Sequence, residues 1–297
     1  MLLVTGITGH SGKYFLQELI DHKYEGAIRC IVRENSDTSL IDNSGLNIEK
    51  VYGNLEDEEF MNLAMDGINT VVHIASIFYS VTVMKAAIKN NVKRSILVHT
   101  TGIYSKYKSA SEEYKNIEKE IHELINENRS KICLTILRPT MIYGYINDRN
   151  MIVFIKMVDK LRIFPIIDHG KNLLQPVNGR DLGKAYFKVL MNSNIPSGDY
   201  ILSGEKPVTM KELFSFISQL LGKKTVFINV PLSLGVFLAK ILKVCSLGKV
   251  DYIEKVQRMG EDRSYSHELA IKDFGYEPMA LTEGLKIEVE EYKKMVL

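Results

Sequence analysis

The sequence predicts an α/β fold: a doubly wound parallel sheet with a smaller, mainly helical C-terminal cap. Strand-like and helix-like segments alternate from the first residue, a glycine-spaced turn joins the first strand to the first helix, and the rhythm changes after Gly144. Residues 1–5 form a short apolar strand. Residues 14–22 (YFLQELIDH) form a helix with Phe15, Leu16, Leu19 and Ile20 on one face. Strands follow at 27–32, 48–52 and 70–75, with a helix over 57–65 and Gly67 and Asn69 bounding the fourth strand. A helix over 81–90 leads to a fifth strand at 95–99, a charged amphipathic helix at 111–127, and a sixth strand at 133–137 stopped by Arg138-Pro139. Beyond Gly144 the pattern gives a helix over 151–160, an irregular stretch, a strand near 175–177, a helix over 181–191, a strand at 200–203 and several helices to the end.

Composition narrows the class. With 45% hydrophobic and 25% charged residues the chain is neither disordered, collagen-like nor disulfide-rich. Lys and Arg number 38 against 36 Asp and Glu, a net charge of +2, so the overall charge points to neither a nucleic-acid nor an acidic-membrane partner, and either would need a local patch. Cys30, Cys133 and Cys245 are odd in number and lack ligand spacing, so neither a disulfide framework nor a metal site is expected. The first strand starts at once, leaving no room for a leader, and the apolar run 230–245 is broken by Lys240 and Lys243 and is shorter than the roughly 20 residues a bilayer span needs. A cytoplasmic protein without a transmembrane segment is the expectation. Within that run, residues 232–243 place Leu234, Phe237, Leu238 and Leu242 at near-helical spacing, and the cap core is their expected place, with a partner surface or shallow membrane contact as the alternative.

Thr5-Gly6-Ile7-Thr8-Gly9-His10-Ser11-Gly12 has the glycine spacing of a dinucleotide loop of Rossmann type. Gly6 permits the turn, Gly9 lets backbone N–H groups approach a pyrophosphate, and Gly12 lets helix and strand pack closely, with Thr8, His10 and Ser11 between them. After the second strand, Arg33 and Ser36 suit a 2′-phosphate while Glu34 suits a ribose diol, so NADP(H) is favoured over NAD(H). Asn54 and Leu55 after the third strand and Ala75 and Ser76 after the fourth are expected along the adenine and nicotinamide sides. The dinucleotide domain is therefore assigned to residues 1–145, completed by about 178–204, with the cap made of 146–177 and 205–297 and the substrate cleft between them.

The TGxxGxxG loop, HIAS at 73–76, TTGIY at 100–104, LTILRPTMIYG at 134–144, QPVNGRDL at 175–182 and YILSG at 200–204 resemble the extended short-chain dehydrogenase/reductase superfamily. The likeness is to its NAD(P)-dependent nucleoside-diphosphate-sugar epimerase/dehydratase group and spans nearly the whole chain. It implies hydride transfer with a small-molecule substrate, Pro139 beside the cofactor, and a homodimer through a four-helix contact that includes helix 111–127. It also implies a hydroxyl residue four before Tyr104, which is Thr100 with Thr101 beside it, and a YxxxK pair in which the tyrosine takes the substrate proton and the lysine lowers its pKa. Tyr114 matches the tyrosine, but Glu118 stands where the lysine belongs.

The register is sound, because Ile121, Leu124 and Ile125 form the inward face expected from Tyr114. Lys115 and Lys119 lie about 100° and 140° around the helix and do not replace a side chain one turn along. The spelling Tyr104xxxLys108 begins too soon after Thr100. An unassisted tyrosine is ionised to roughly one part in a thousand at pH 7, a cost of about 4 kcal/mol. Glu118 therefore points elsewhere, to the ribose hydroxyls among other places, or another base serves, or turnover is lost. The resemblance also implies a diphosphate-binding Arg seven residues before Asp181, where this chain has Leu174; Arg149 and Arg180 are the remaining anion candidates. Two functions are carried forward: an NAD(P)-dependent oxidoreductase of the epimerase/dehydratase type, and an NADP(H)-binding scaffold or redox sensor without efficient turnover.

Overall fold

A computed structural model describes residues 1–107, 109–148 and 150–296. Its first half runs β1 (Leu2–Thr5), α1 (His10–Asp21), β2 (Ile28–Val32), α2 (Ser39–Asp42), β3 (Ile48–Tyr52), α3 (Glu58–Ala64), β4 (Thr70–His73), α4 (Ser80–Lys89), β5 (Arg94–Val98), α5 (Ser111–Glu127) and β6 (Cys133–Pro139). These six strands and Gly198–Leu202 make one seven-stranded sheet in the order Gly198–Leu202, β6, β5, β4, β1, β2, β3. Every neighbouring pair is parallel. The chain winds one way from β1 to β3 and the other way from β4 to β6, so the switch point lies between β1 and β4, where open α/β sheets bind ligands.

Alternation along β1 explains the layers. Leu2 and Val4 join one core with Phe15, Leu16 and Leu19 of α1 and Tyr186 and Val189 of the helix Gly179–Met191. Leu3 points to the opposite core with Val71, Met84, Ala87 and Ile121. Burial on both faces is why the inner strands β1, β4 and β5 read as apolar runs rather than as alternating ones. A third core gathers Met151, Ile155, Phe164, Phe214, Ile217, Leu285 and Val289, mostly from the helices Met151–Lys160, Met210–Leu220 and Leu281–Val296.

Two features differ from the sequence reading. The stretch read as irregular contains a strand, Ile163–Ile167, paired in parallel with Val226–Val230. Pro165 cannot donate a ladder bond, which masks the strand in the sequence and is tolerated in a two-stranded ribbon where each strand keeps an open edge. The helix Leu232–Cys245 forms as expected, but the assignment of its large side chains to the cap core is corrected. Gly235 and Ala239 are its buried residues, while Leu234, Phe237, Leu238 and Leu242 face outward. A 3.6-residue apolar stripe has the same period whether it faces a core or leaves it. Among the described residues no helix is long and apolar enough to cross a membrane.

Candidate functional site

The glycine loop is built by backbone proximity. Gly6 has φ +72°, and a Cβ there would lie 2.6 Å from the Ala75 nitrogen; a Cβ on Gly12 would lie 2.1 Å from the Gly6 oxygen. Gly9 is the extended N-cap of α1 and no side chain caps the helix, so the positive helix end opens onto the loop. In front of it lies a cavity of about 760 Å³. Gly6, Thr8, Gly9, Ser11, Arg33, Ser36, Asn54, Leu55, Ala75, Ser76, Thr100, Tyr114 and Pro139 all line it. Gly12 is buried in the loop-to-helix contact and is not on the cavity wall. His10 turns instead to a neighbouring cavity.

That second cavity has a volume of about 450 Å³ and shares Thr100 and Ile142 with the first. Thr101, Asp148, Leu174, Arg258, Arg263 and Tyr265 are among its other walls. Thr100 Oγ1 accepts from the Gly102 amide at 3.0 Å, and Thr101 Oγ1 donates to the Pro139 carbonyl at 3.2 Å. The C-terminal segment is fastened across the loop after β5: Ser105 Oγ donates to Glu261 at 2.7 Å and Ser109 Oγ to Glu254 at 2.8 Å. This fastening holds the helix Ile253–Met259, and with it Arg258, over the cavity.

Arg263 arrives from the strand-like contact opposite Leu174, its amide donating to the Leu173 carbonyl at 2.8 Å. The guanidinium that position 174 lacks thus reaches the same cavity from across the pairing. Burial, and after it the like charge of Arg258, lower the Arg263 pKa to about 10. Among the described residues the Nε atoms of Arg258 and Arg263 are buried without a partner. Two close guanidinium groups with unused donors are what an anion would satisfy.

Glu118 does not reach the first cavity, and its candidacy as a catalytic or ribose-binding group is corrected. The residue is 7% exposed, and its carboxylate takes a bidentate pair from Arg138, with Nη2 to Oε2 at 2.8 Å and Nη1 to Oε1. His99 Nδ1 lies 2.8 Å from the same carboxylate, and Ser80 Oγ lies 3.0 Å from His99 Nε2. A carboxylate only accepts, so Nδ1 carries the proton and Nε2 accepts from Ser80 in a neutral imidazole. Asp199 takes the other side of Arg138 at 2.5 Å. Burial raises the Glu118 pKa, but the His99 and Arg138 hydrogen bonds outweigh it and bring it down to about 2. His99 itself lines the first cavity. Burial lowers its pKa, against the pull of Glu118.

Tyr114 is 8% exposed, and burial pushes its phenol above the ordinary value; the largest opposing influence is the charge of Arg258. Arg180, a sequence-predicted anion candidate, lines neither cavity. It donates to the Gly144 carbonyl at 3.1 Å, lies 3.5 Å from Glu291, and packs over the Tyr14 ring. Arg149 and Lys108 lie outside the described residues. The sequence reading missed Arg258 and Arg263; the MGEDR run around them carries no periodic signal, and only the pairing with Leu174 marks Arg263.

Residues 6–153 match the sequence model of a family described as NAD(P)H-binding. Sterol demethylase protein B of Methylococcus capsulatus is 34% identical over 74 residues, which are 25% of this chain and 21% of that protein. N-acetyl-alpha-D-glucosaminyl-diphospho-ditrans,octacis-undecaprenol 4-epimerase of Escherichia coli O157:H7 is 24% identical over 212 residues, 62% of this chain and 64% of that one. The matches thus span about a fifth and just under two thirds of these relatives. The structure of a double mutant of the dTDP-glucose 4,6-dehydratase of Streptomyces venezuelae with NAD bound superposes with TM-score 0.73 at 17% identity, covering 99% of this chain and 97% of that one. Residues 6–153 thus match an NAD(P)H-binding family model, and the chain shares its fold with a solved nucleotide-sugar dehydratase.

Proposed function

We propose that the protein is an NADP(H)-dependent oxidoreductase of the epimerase/dehydratase type, acting on a small hydroxyl or carbonyl compound that carries a phosphate or diphosphate. The observation that carries this reading is the meeting of two cavities at Thr100, one on the glycine loop and the other holding Arg258 and Arg263. The domain division follows the same line: residues 1–145 and about 178–204 make the cofactor side, and 146–177 with 205–297 the substrate side. Arg33 and Ser36 on the wall of the first cavity, where Glu34 is absent, support NADP(H). A diphosphate, of the kind named for the Escherichia coli relative, suits the two guanidinium groups.

The nicotinamide, when bound, supplies the hydride acceptor or donor. Thr100 holds the substrate oxygen at the mouth between the cavities, and Tyr114 takes or returns the hydroxyl proton. Burial holds the Tyr114 phenol above its ordinary value, and the charge of Arg258 opposes that shift in the same sense as the missing lysine, without overcoming it. The buried pairing of Glu118 with Arg138 and His99 supports a second reading, a dinucleotide-binding scaffold or redox sensor, since it commits the side chain at the lysine position to an internal ion pair, and of the three residues only His99 lines the cavity.

Turnover of UDP- and dTDP-sugars and of simple carbonyls with NADP(H) separates the two. The oxidoreductase reading expects turnover by the wild type and a fall of about a hundredfold or more in Tyr114→Phe and in Thr100→Val. Unchanged turnover in both variants contradicts the site assignment. Tight NADPH binding with no turnover of any substrate supports the scaffold.

A further inference from the structure

The helix Leu232–Cys245 presents Leu234, Phe237, Leu238, Ile241 and Leu242 at 43% to 58% exposure, followed by Val244 at 75% and Leu247 at 88%. The spacing is that of one continuous helical face. Its opposite side is made of small residues pressed onto the molecule: a Cβ on Gly235 would lie 2.7 Å from the Ile167 side chain and 3.1 Å from that of Val256. So many large apolar side chains on one exposed helix mark a docking surface rather than scattered surface residues.

The charge around this face names its partner. Residues 223–250 contain Lys223, Lys224, Lys240, Lys243 and Lys249 and no Asp or Glu, although the whole chain carries only +2. Lys223 and Lys243 pair with Asp159 and Asp251, at 2.6 Å and 2.7 Å. Lys224, Lys240 and Lys249 have no ion pair among the described residues. A second copy of this face would bring like charges together across a self-complementary contact. An anionic lipid surface answers both the apolar stripe and the lysines. The helix of 14 residues rises about 21 Å, short of a bilayer's hydrocarbon core of roughly 30 Å, so it fits lying in the interface and not crossing it.

We propose that this face docks the protein on a bilayer rich in anionic phospholipid, with the helix in the plane of the interface. The helix packs against Ile253–Met259, which carries Arg258 into the second cavity. On the reading of the cleft given above, docking places the anion-binding cavity one helix away from the membrane, where a lipid-borne phosphate substrate is met.

The test uses the full chain. It contains no tryptophan, so Phe237→Trp installs a single reporter on the face. Flotation and tryptophan emission are measured with vesicles of equal parts phosphatidylcholine and phosphatidylglycerol, and with vesicles of phosphatidylcholine alone. The proposal expects a blue shift and flotation with the anionic vesicles, weakened by salt. It also expects affinity about tenfold or more lower in Lys240→Glu/Lys249→Glu and in Phe237→Ser/Leu238→Ser. NADPH titration of the same variants reports whether they fold. If a variant loses NADPH binding, the wild type and Phe237→Trp still decide the question. Protein that binds NADPH but stays in the buffer with both vesicles overturns the docking while leaving the cofactor reading intact. A blue shift that grows with protein concentration in the absence of lipid overturns it in favour of a second copy. Equal binding to both vesicles, unchanged by the lysine reversals, overturns its anionic part.

Discussion

Glu118 is where a one-residue difference has the largest structural consequence. Its position, one turn along α5 from Tyr114, was legible in the sequence. Its partners were not, because His99 and Arg138 come from the ends of neighbouring strands β5 and β6, 19 and 20 residues away. Glu118→Gln leaves the Arg138 charge half-paired in the interior, and a loss of about 3–5 kcal/mol is expected in denaturant unfolding. Glu118→Lys is expected to destabilise at least as much, by setting two cations face to face, and to restore no activity. The folded pKa of about 2 lies below the unfolded value near 4.5. The stabilisation is therefore present above about pH 4.5 and lost as pH falls toward 2. The unfolding midpoint of the wild type should fall more steeply below pH 4.5 than that of Glu118→Gln; parallel curves would contradict the pairing. At the second cavity, Arg263→Leu should raise KM for a phosphorylated substrate about tenfold or more without loss of stability, since it removes a buried charge that lacks an ion-pair partner among the described residues. An unchanged KM removes Arg263 from the anion site.

At the scale of elements, the helices Ser111–Glu127 and Met151–Lys160 coincide with the sequence reading to the residue, because each has a clear apolar stripe and defined ends. The inner strands of the main sheet were legible as apolar runs because both their faces are covered, whereas the edge strands Ile48–Tyr52 and Gly198–Leu202 keep polar, exposed residues. The ribbon of Ile163–Ile167 and Val226–Val230 was not legible, since Ile163, Val226 and Ile228 remain exposed and Pro165 interrupts the run. The turn into α1 is the element on which dinucleotide binding depends most closely. Gly12→Ala would drive a Cβ against the Gly6 oxygen and Ile7, so the loop must open. A stability loss of about 1–3 kcal/mol is expected together with a loss of NADPH affinity of about tenfold or more. A variant with full stability and full NADPH affinity would show that the close approach of loop and helix is not needed.

On the scale of the whole molecule, the sheet's switch point, the open end of α1 and the fastened C-terminal segment converge on one pair of joined cavities. The residues that line the glycine-loop cavity were legible in the sequence because they fall at fixed offsets from strand ends. The arginines of the second cavity were not, because Arg258 and Arg263 are brought in by tertiary contacts more than 80 residues beyond Leu174. The most direct test of the account is a fluorescence titration of the wild type and Arg33→Ala with NADPH and with NADH. The account predicts that the wild type binds NADPH about tenfold or more tighter than NADH, and that Arg33→Ala loses this preference while still binding both. Wild-type protein that binds neither dinucleotide would contradict it.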